Sequence, residues 1–347
     1  MTAGRRHSFD ELVDLVTRLF RAVDVPEDDA RVTASRLVEG DFRGRDGHGL
    51  IRVVPYLDRI RAGGLNPRPA MRILHETAVS AQLDADNGLG TVAMTRATEL
   101  AIGKARESGV AMVGTVRSNH AGAAGLYPGM AAAEGLVGVY CAVANANGLP
   151  PWGGTAPILG TNPLAIAVPT ADGRPFVLDI ATTTASHGAI KVARQEGREM
   201  PVGWVVDAAG APITDPVRAD EGYLVPIGGY KGAGLTLAIG LLAGVLNGAA
   251  FGRDVVDARA DLTTPTNTGQ LLVVFRTDVF RPLETVLDDV TRSLSEIRAS
   301  GSADGRPLRL PGDRAAALEE ENRRLGLEVP PPVLAALDTA RAELGVG

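Results

Sequence analysis

The segment from Val110 to Pro169 constrains the fold most. It reads in order as strand, polar turn, short helix, strand, glycine- and proline-rich loop, and strand. A chain with this pattern must build a sheet and display loops at its edge. The first strand is the β-branched run Val110–Val116, followed at once by Arg117-Ser118-Asn119-His120-Ala121-Gly122. A polar turn at a strand end is where functional side chains tend to be presented. His120 sits in that turn, and imidazole changes charge near neutral pH and can pass a proton. The plain alternative is a histidine hydrogen-bonded in a loop, and one motif does not decide between them.

The surroundings of that sheet follow from bulk properties. At 347 residues the chain has room for two domains. Only 4% of residues are aromatic, whereas 42 are glycine, so the core must be filled by Ala, Val, Leu and Ile with close backbone approaches. The formal charge, 35 − 41 = −6, argues against nucleic acid as a partner. Cys141 is the only cysteine, which excludes an internal disulfide and a thiolate metal cluster within one chain and suggests a reducing, cytoplasmic compartment. The start MTAGRRHSFDELVDLV lacks a continuous apolar segment with a cleavage site, so no secretory signal is expected. Leu235–Phe251, the most apolar run, is interrupted by Thr236, Asn247 and glycines; it reads as a buried helix, with no membrane partner.

Taken in order, Ser8 and Glu11 form a capping box for an amphipathic helix over residues 9–23. A second helix follows Pro26, expected in its first turn, and runs to about Phe42. Next come glycines flanking His48, with Arg52 four residues later. A helix starting there would put both side chains on one face, where they could bind a carboxylate and donate a proton beside it. The competing reading is a glycine turn capping a helix, with a solvated arginine. Residues 60–90 read as a linker and one strand, and residues 90–108 as a helix ended by Gly109. The run Ile180–Thr184 suits phosphate or ribose contact through backbone N–H groups and hydroxyls, or a structural turn. Lys231 among glycines at a helix start is a plausible anion cradle. Gly240, Gly244 and Gly248 mark close helix packing within the chain or a dimer contact. Residues 201–216 read as a hairpin-rich excursion, and helices close the chain at 283–297, 313–325 and 333–344. Neither a third histidine nor a paired carboxylate stands at ligand spacing from His48 and His120, which leaves no metal site to propose.

Together these landmarks resemble the type-2 malate/L-lactate dehydrogenase family, which includes ureidoglycolate, sulfolactate and diketogulonate dehydrogenases and the piperideine-2-carboxylate reductases. The matching pieces are Arg43-Gly44 through His48-Gly49 and Arg52; Ser118-Asn119-His120 with Ala123, Gly125 and Tyr127; and Gly160-Thr161-Asn162-Pro163-Leu164-Ala165. Further on are Asp179-Ile180-Ala181-Thr182-Thr183, Gly228-Gly229-Tyr230-Lys231-Gly232 and Leu310-Pro311-Gly312-Asp313. They lie in family order over nearly the whole chain, and the GTNPLA and DIATT runs are specific in combination.

The resemblance implies an α+β fold that is not a Rossmann domain, and the chain indeed lacks a strand leading into G-x-G-x-x-G and a helix. A discontinuous helical domain (residues 1–75 and 276–347) would surround a mixed-sheet cofactor domain (residues 76–275). It further implies a homodimer and hydride transfer between NAD or NADP and the carbon beside a carboxylate, with a small carboxylate as substrate. By similarity, His48 and His120 are the proton donor or acceptor and Arg52 holds the carboxylate. Asp179, Ile180, Ala181, Thr182, Thr183, Lys231, Gly232, Pro311, Gly312 and Asp313 match cofactor contacts. The chain departs from the family at Gly47, where serine is usual before the first histidine, and at Ala144, where a polar group is common. It departs again at Ala189, after His187-Gly188, where lysine or aspartate is common. The ketimine reductases use an aspartate at that last position, so its absence argues against reduction of a 2-imino acid, the main rival activity. Binding of an acid or cofactor without turnover is the other rival.

Overall fold

The computed structural model describes residues 4–303 and 305–347, apart from the side chains of His187 and Gln195. Residues 1–3 of the expected helical unit and Asp304 of the loop after residue 299 lie outside the described residues. A short strand, β1 (Arg6–His7), leads into helix α1 (Phe9–Arg21). Ser8 Oγ accepts the Glu11 N–H at 3.2 Å, which satisfies one of the free donors of the first turn. Leu12, Val16, Leu19 and Phe20 recur on one stripe and are fully buried. Helix α2 (Glu27–Phe42) follows, with Pro26 at its N-cap rather than inside its first turn. Helix α3 (Val53–Arg61) packs into the same core.

The region from 60 to 90 holds two strands where one was expected: β2 (Arg72–Glu76) pairs antiparallel with β3 (Ser80–Asp84). All five residues of β2 are exposed, so this edge strand has no apolar alternation to betray it; it exists because β3 offers a free edge. The domain boundary expected at 75/76 therefore falls inside a paired strand.

Helix α4 (Gly90–Ser108) ends at Gly109, whose φ of 84° is the left-handed C-cap that glycine adopts without a Cβ clash. It leads to β4 (Val110–Ser118), then α5 (Leu126–Ala133), β5 (Leu136–Ala142), β6 (Leu164–Val168) and β7 (Phe176–Ile180). Later in the chain β11 (Thr268–Arg276) enters between β4 and β5, giving a seven-stranded sheet in the order β2-β3-β4-β11-β5-β6-β7. Among the described strands of this sheet, β3 and β4 are the one parallel pair, with α4 as their crossover. The sheet is mixed and the fold α+β. Its core is built from small side chains, as the scarcity of rings requires: Ala97, Ala101 and Ala105 of α4 meet Ala111 and Val113 of β4, with Leu272 and Val274 of β11.

Helix α6 (His187–Glu196) and the strands β8 (Val205–Val206), β9 (Pro212–Ile213) and β10 (Tyr223–Leu224) form a small satellite with its own core, including Ile190, Met200 and Val205. The expected surface excursion is thus a packed unit. Helix α7 (Tyr230–Ile239) continues as a π-turn, Gly240–Gly244, and a 3₁₀ turn, Val245–Asn247. By length and composition the span Tyr230–Asn247 could cross a bilayer. Here it lies against the sheet on one side only. Ile239 and Ala243 are buried, while Leu237, Leu241, Leu242, Val245 and Leu246 are exposed, which corrects the expectation of a buried helix. Gly240 and Gly244 face Phe251 and Val143 of the same chain and serve packing within it, whereas Gly248 has open space around it and ends the 3₁₀ turn at φ 69°.

Helices α8 (Leu283–Ala299) and α9 (Asp313–Leu325) follow; α9 meets α2 through Arg43 and Glu319 at 2.9 Å, and no residue of α8 is buried. Strand β12 (Leu327–Glu328) pairs with β1, and α10 (Pro331–Glu343) buries Leu334, Leu337 and Ala340 in the core of the N-terminal helices. The two ends of the chain close over one another.

Candidate active site

The turn that carries His120 leaves β4 through a residue in the left-handed region: Arg117 has φ 51°. For a non-glycine residue this backbone needs outside support. The Arg117 N–H donates to Asn267 Oδ1 at 2.8 Å, and its guanidinium forks onto Asp84 at 2.7 and 2.5 Å. Asn119 is buried next to it and donates to Gly88 O at 2.9 Å, while Gln270 Nε2 donates to the Asn119 carbonyl at 2.9 Å. These hydrogen bonds tie the turn to β3, β11 and the approach to α4, so the position of His120 is held from behind.

His48 comes from the helical side. The expected continuous helix from His48 to Arg52 is not formed: two 3₁₀ turns, Asp46–His48 and Leu50–Arg52, are separated at Gly49 (φ −102°, ψ −136°). That break lets the Leu50 N–H reach the buried Asp41 carboxyl at 2.8 Å. Burial raises the Asp41 pKa to about 8, against the opposing hydrogen bond from Leu50. Arg52 then folds back, its Nε donating to Gly47 O at 2.7 Å. The histidine and arginine still end side by side, through this fold-back rather than a shared helical face.

The two imidazoles stack, with ring centroids 5.5 Å apart and planes inclined by 16°. Tyr56 on α3 places its hydroxyl 2.6 Å from His120 Nδ1 and 3.0 Å from the His120 carbonyl oxygen. Burial lowers the His48 pKa to about 4, aided by the charges of Arg52 and Arg45. Burial also pushes His120 well below the ordinary histidine range, with Arg52 and His48 adding to the shift. Both rings are therefore neutral at pH 7. Burial lowers the pKa of Arg52, partly opposed by Tyr56, and Arg259 adds a second positive charge nearby. Among the described residues no carboxylate pairs with Arg52. A buried cation costs several kcal/mol to desolvate unless an anion joins it.

The segments matched to a cofactor converge on β7. Asp179 meets Arg45 at 3.5 Å, which ties this strand to the His48 turn, and burial raises the Asp179 pKa against Arg45 and the Gly125 N–H. Beyond Ile180 and Ala181 the chain pairs with the approach to α7: Ile227 N–H donates to Thr182 O at 3.0 Å, and Thr183 forms a bridge with Pro226. Lys231 and Gly232 follow at once, with Lys231 exposed. The hydroxyls expected to face a phosphate are committed elsewhere. Thr182 Oγ1 donates to Thr161 O at 3.0 Å and Thr183 Oγ1 to Ala185 O at 2.7 Å, both inside the fold. Pro311-Gly312-Asp313 lies against the start of the same strand, where Val177 N–H reaches Pro311 O at 3.4 Å. Gly312 has φ 97° and a side chain there would press on Val177, so the close approach needs glycine. Asp313 is paired with Arg298 at 2.7 Å and accepts the Leu310 N–H. The last segment thus adjoins β7 at the end remote from Thr182.

Residues 7–338 match the family model described as malate/L-lactate dehydrogenase. The malate dehydrogenase of Pyrococcus abyssi is 35% identical over 97% of this chain and 94% of its own length. Ureidoglycolate dehydrogenase (NAD(+)) of Escherichia coli O157:H7 is 36% identical over 86% of this chain and 84% of its own. Among solved structures, delta1-piperideine-2-carboxylate reductase from Pseudomonas syringae superposes with a TM-score of 0.88 at 30% identity, covering 97% of this chain and 99% of that one.

The chain belongs to the malate/L-lactate dehydrogenase family. It is an oxidoreductase. Tyr56, Arg45 and Arg259 stand beside the histidines and Arg52 although the sequence singled none of them out for a role. Tyr56 stands four residues after Arg52, a spacing that could have drawn attention to it. The family departures have local explanations. At Gly47 an added Cβ would meet only Gly188 Cα at 3.8 Å, so the missing serine leaves room rather than a clash. Ala144 donates its N–H to Asn162 Oδ1 at 3.0 Å, and Asn162 donates on to Thr236 O at 2.9 Å, so the GTNPLA asparagine braces α7.

Proposed function

We propose that the protein moves a hydride between a nicotinamide cofactor and C2 of a small 2-hydroxy or 2-oxo acid, with Arg52 holding the acid's carboxylate. The observation that carries this reading is the half-buried Arg52 guanidinium, without a carboxylate partner among the described residues, beside two neutral imidazoles. A carboxylate bound there sets the adjacent C2 oxygen near His48 and His120, one of which exchanges its proton. A bound nicotinamide supplies or accepts the hydride.

The residues present fit such a group. Lys231 is exposed at the start of α7 with no carboxylate partner among the described residues, just after Gly228 and Gly229 at φ 59° and 64°. Asp179, Ile180, Ala181, Lys231, Gly232, Pro311, Gly312 and Asp313 would hold the cofactor outside any parallel βαβ crossover, in a non-Rossmann manner, while Thr182 and Thr183 shape the strand end with their hydroxyls bonded inside the fold. The helices from both chain ends form one unit, the sheet another, and the histidines stand between them. Ala189 supplies no carboxylate, which favours the hydroxy acid over the 2-imino acid. A second copy of the chain covers the apolar face of α7 and makes the protein a homodimer, since contiguous exposed apolar surface of this kind marks an association site.

The test is titration of NADH and NADPH fluorescence, then a screen of 2-oxo acids with wild type and Arg52→Lys. Saturable binding of one cofactor is expected. In the variant the KM for the acid should rise about 10²-fold, because lysine cannot reproduce the guanidinium fork. An unchanged KM would remove Arg52 from its role. Absence of binding by folded protein would point to a member without redox turnover.

A further inference from the structure

The two histidines differ in what holds them. Among the described residues no hydrogen bond reaches either ring nitrogen of His48, or Nε2 of His120. At His120 Nδ1, by contrast, two groups converge: the Tyr56 hydroxyl at 2.6 Å and the Gly122 backbone N–H at 3.3 Å. A hydroxyl can turn its proton in either direction; a backbone N–H can only donate. The nitrogen that receives the Gly122 N–H must therefore present its lone pair there and carry no proton. Were Nδ1 protonated and donating to Tyr56, two N–H groups would face each other at the Gly122 contact. Were the Tyr56 proton spent wholly on the His120 carbonyl, two lone pairs would face each other at 2.6 Å. The wiring with the least conflict has both groups donating to Nδ1, the Tyr56 proton being directed at the shorter 2.6 Å contact and shared with the carbonyl at 3.0 Å, and the single proton of the neutral ring sits on Nε2.

We propose that Tyr56 is a positioning residue that locks His120 as the Nε2–H tautomer, so that His120 is a hydrogen-bond donor to the substrate's C2 oxygen. The inference deepens the proposed redox reading and rests on it for the identity of the oxygen. It divides the labour of the pair. In the oxidation direction a free lone pair on His48 takes the hydroxyl proton and the oxygen that becomes a carbonyl accepts from His120 Nε2–H; a bound nicotinamide would take the C2 hydrogen with its electron pair as hydride. A neutral imidazole that gave up its only proton would become an imidazolate, so His120 stabilises the oxygen without surrendering that proton.

Nitrogen-15 NMR of histidine-labelled protein tests the tautomer directly, without substrate, the His120 signals being identified by their loss in His120→Asn. The expected pattern is a protonated Nε2 and an unprotonated Nδ1; the reverse pattern would overturn the proposal whether or not the enzyme turns over. Tyr56→Phe removes only a hydroxyl. It should mix the two tautomers and lower kcat about 10- to 100-fold, with little change in cofactor affinity or in KM for the acid. An unchanged His120 spectrum in that variant would show that Gly122 alone fixes the ring. Failure of wild type to oxidise any hydroxy acid, with the NMR pattern as expected, would count against the redox reading and not against the tautomer.

Discussion

The acid limb of the pH profile should belong to His48. Its pKa in the folded protein is about 4, where an unperturbed imidazole titrates near ~6.5. If His48 accepts the substrate proton, it must be neutral to do so, and the free protein keeps it neutral well below pH 6. The kcat/KM for oxidation of a monocarboxylic hydroxy acid should then stay level as pH falls through 6.5 and drop only towards 4, a limb that His48→Asn removes. A fall centred on 6.5 would show that another group sets the limb. The same shift acts on stability with a definite sign. Between the two pKa values the unfolded chain binds the proton and the folded one does not, so His48 makes the protein progressively less stable as pH drops from about 6.5 to about 4. At this scale the sequence was readable where chemistry is advertised locally. His48 has glycine neighbours, Arg52 has a short spacing from it, and His120 ends a strand. Tyr56 was hidden because its partner lies 64 residues away, and the Thr182 and Thr183 hydroxyls misled because buried hydroxyls serve the fold as readily as a ligand.

Elements were legible in proportion to their amphipathic contrast. Helices α1 and α4 declare themselves by periodicity and caps, whereas β2 has no buried face and was lost. Helix α7 is the instructive case: its apolar run was plain, but a sequence that is apolar on most sides does not say which side the protein itself covers. The structure leaves Leu241 and Leu242 nearly half exposed, at 47% and 48%, with Leu246 at 63%. If a second copy covers this face, Leu242→Glu should convert a dimer to a monomer in sedimentation velocity while leaving the circular dichroism spectrum intact. A charge placed in the centre of a desolvated contact costs several kcal/mol, enough to dissolve a dimer of ordinary affinity. A wild-type monomer at micromolar concentration would dispose of the homodimer, and a variant that stays dimeric would move the contact to another surface.

For the whole molecule the decisive feature is that its ends meet. Strand β12 pairs with β1, and α10 places Leu334 and Leu337 in the core formed by α1, α2 and α3, with Val329 just ahead of it. Helices at both ends could be read from the sequence; that they share one core could not, because periodicity reports a buried face and not its partner. The arrangement couples the C-terminus to the site, since α10 touches α3 and α3 carries Tyr56 just beyond Arg52. Removing residues 327–347 withdraws Val329, Leu334 and Leu337, each worth about 2 kcal/mol of burial, together with the small buried Ala340, and exposes the surfaces they covered. A loss of about 6 kcal/mol is comparable to the whole stability of a typical domain, about 5–15 kcal/mol. The truncated chain should therefore melt far below the intact protein, or fail to fold its helical unit, and should lose turnover even though every matched cofactor segment is still present. Leu337→Ala makes the same point gently. It should cost about 2–5 kcal/mol in denaturant unfolding and leave the KM for the acid unchanged at low temperature. Full activity and an unchanged melting temperature in the truncated protein would show that the site is supported by the sheet alone.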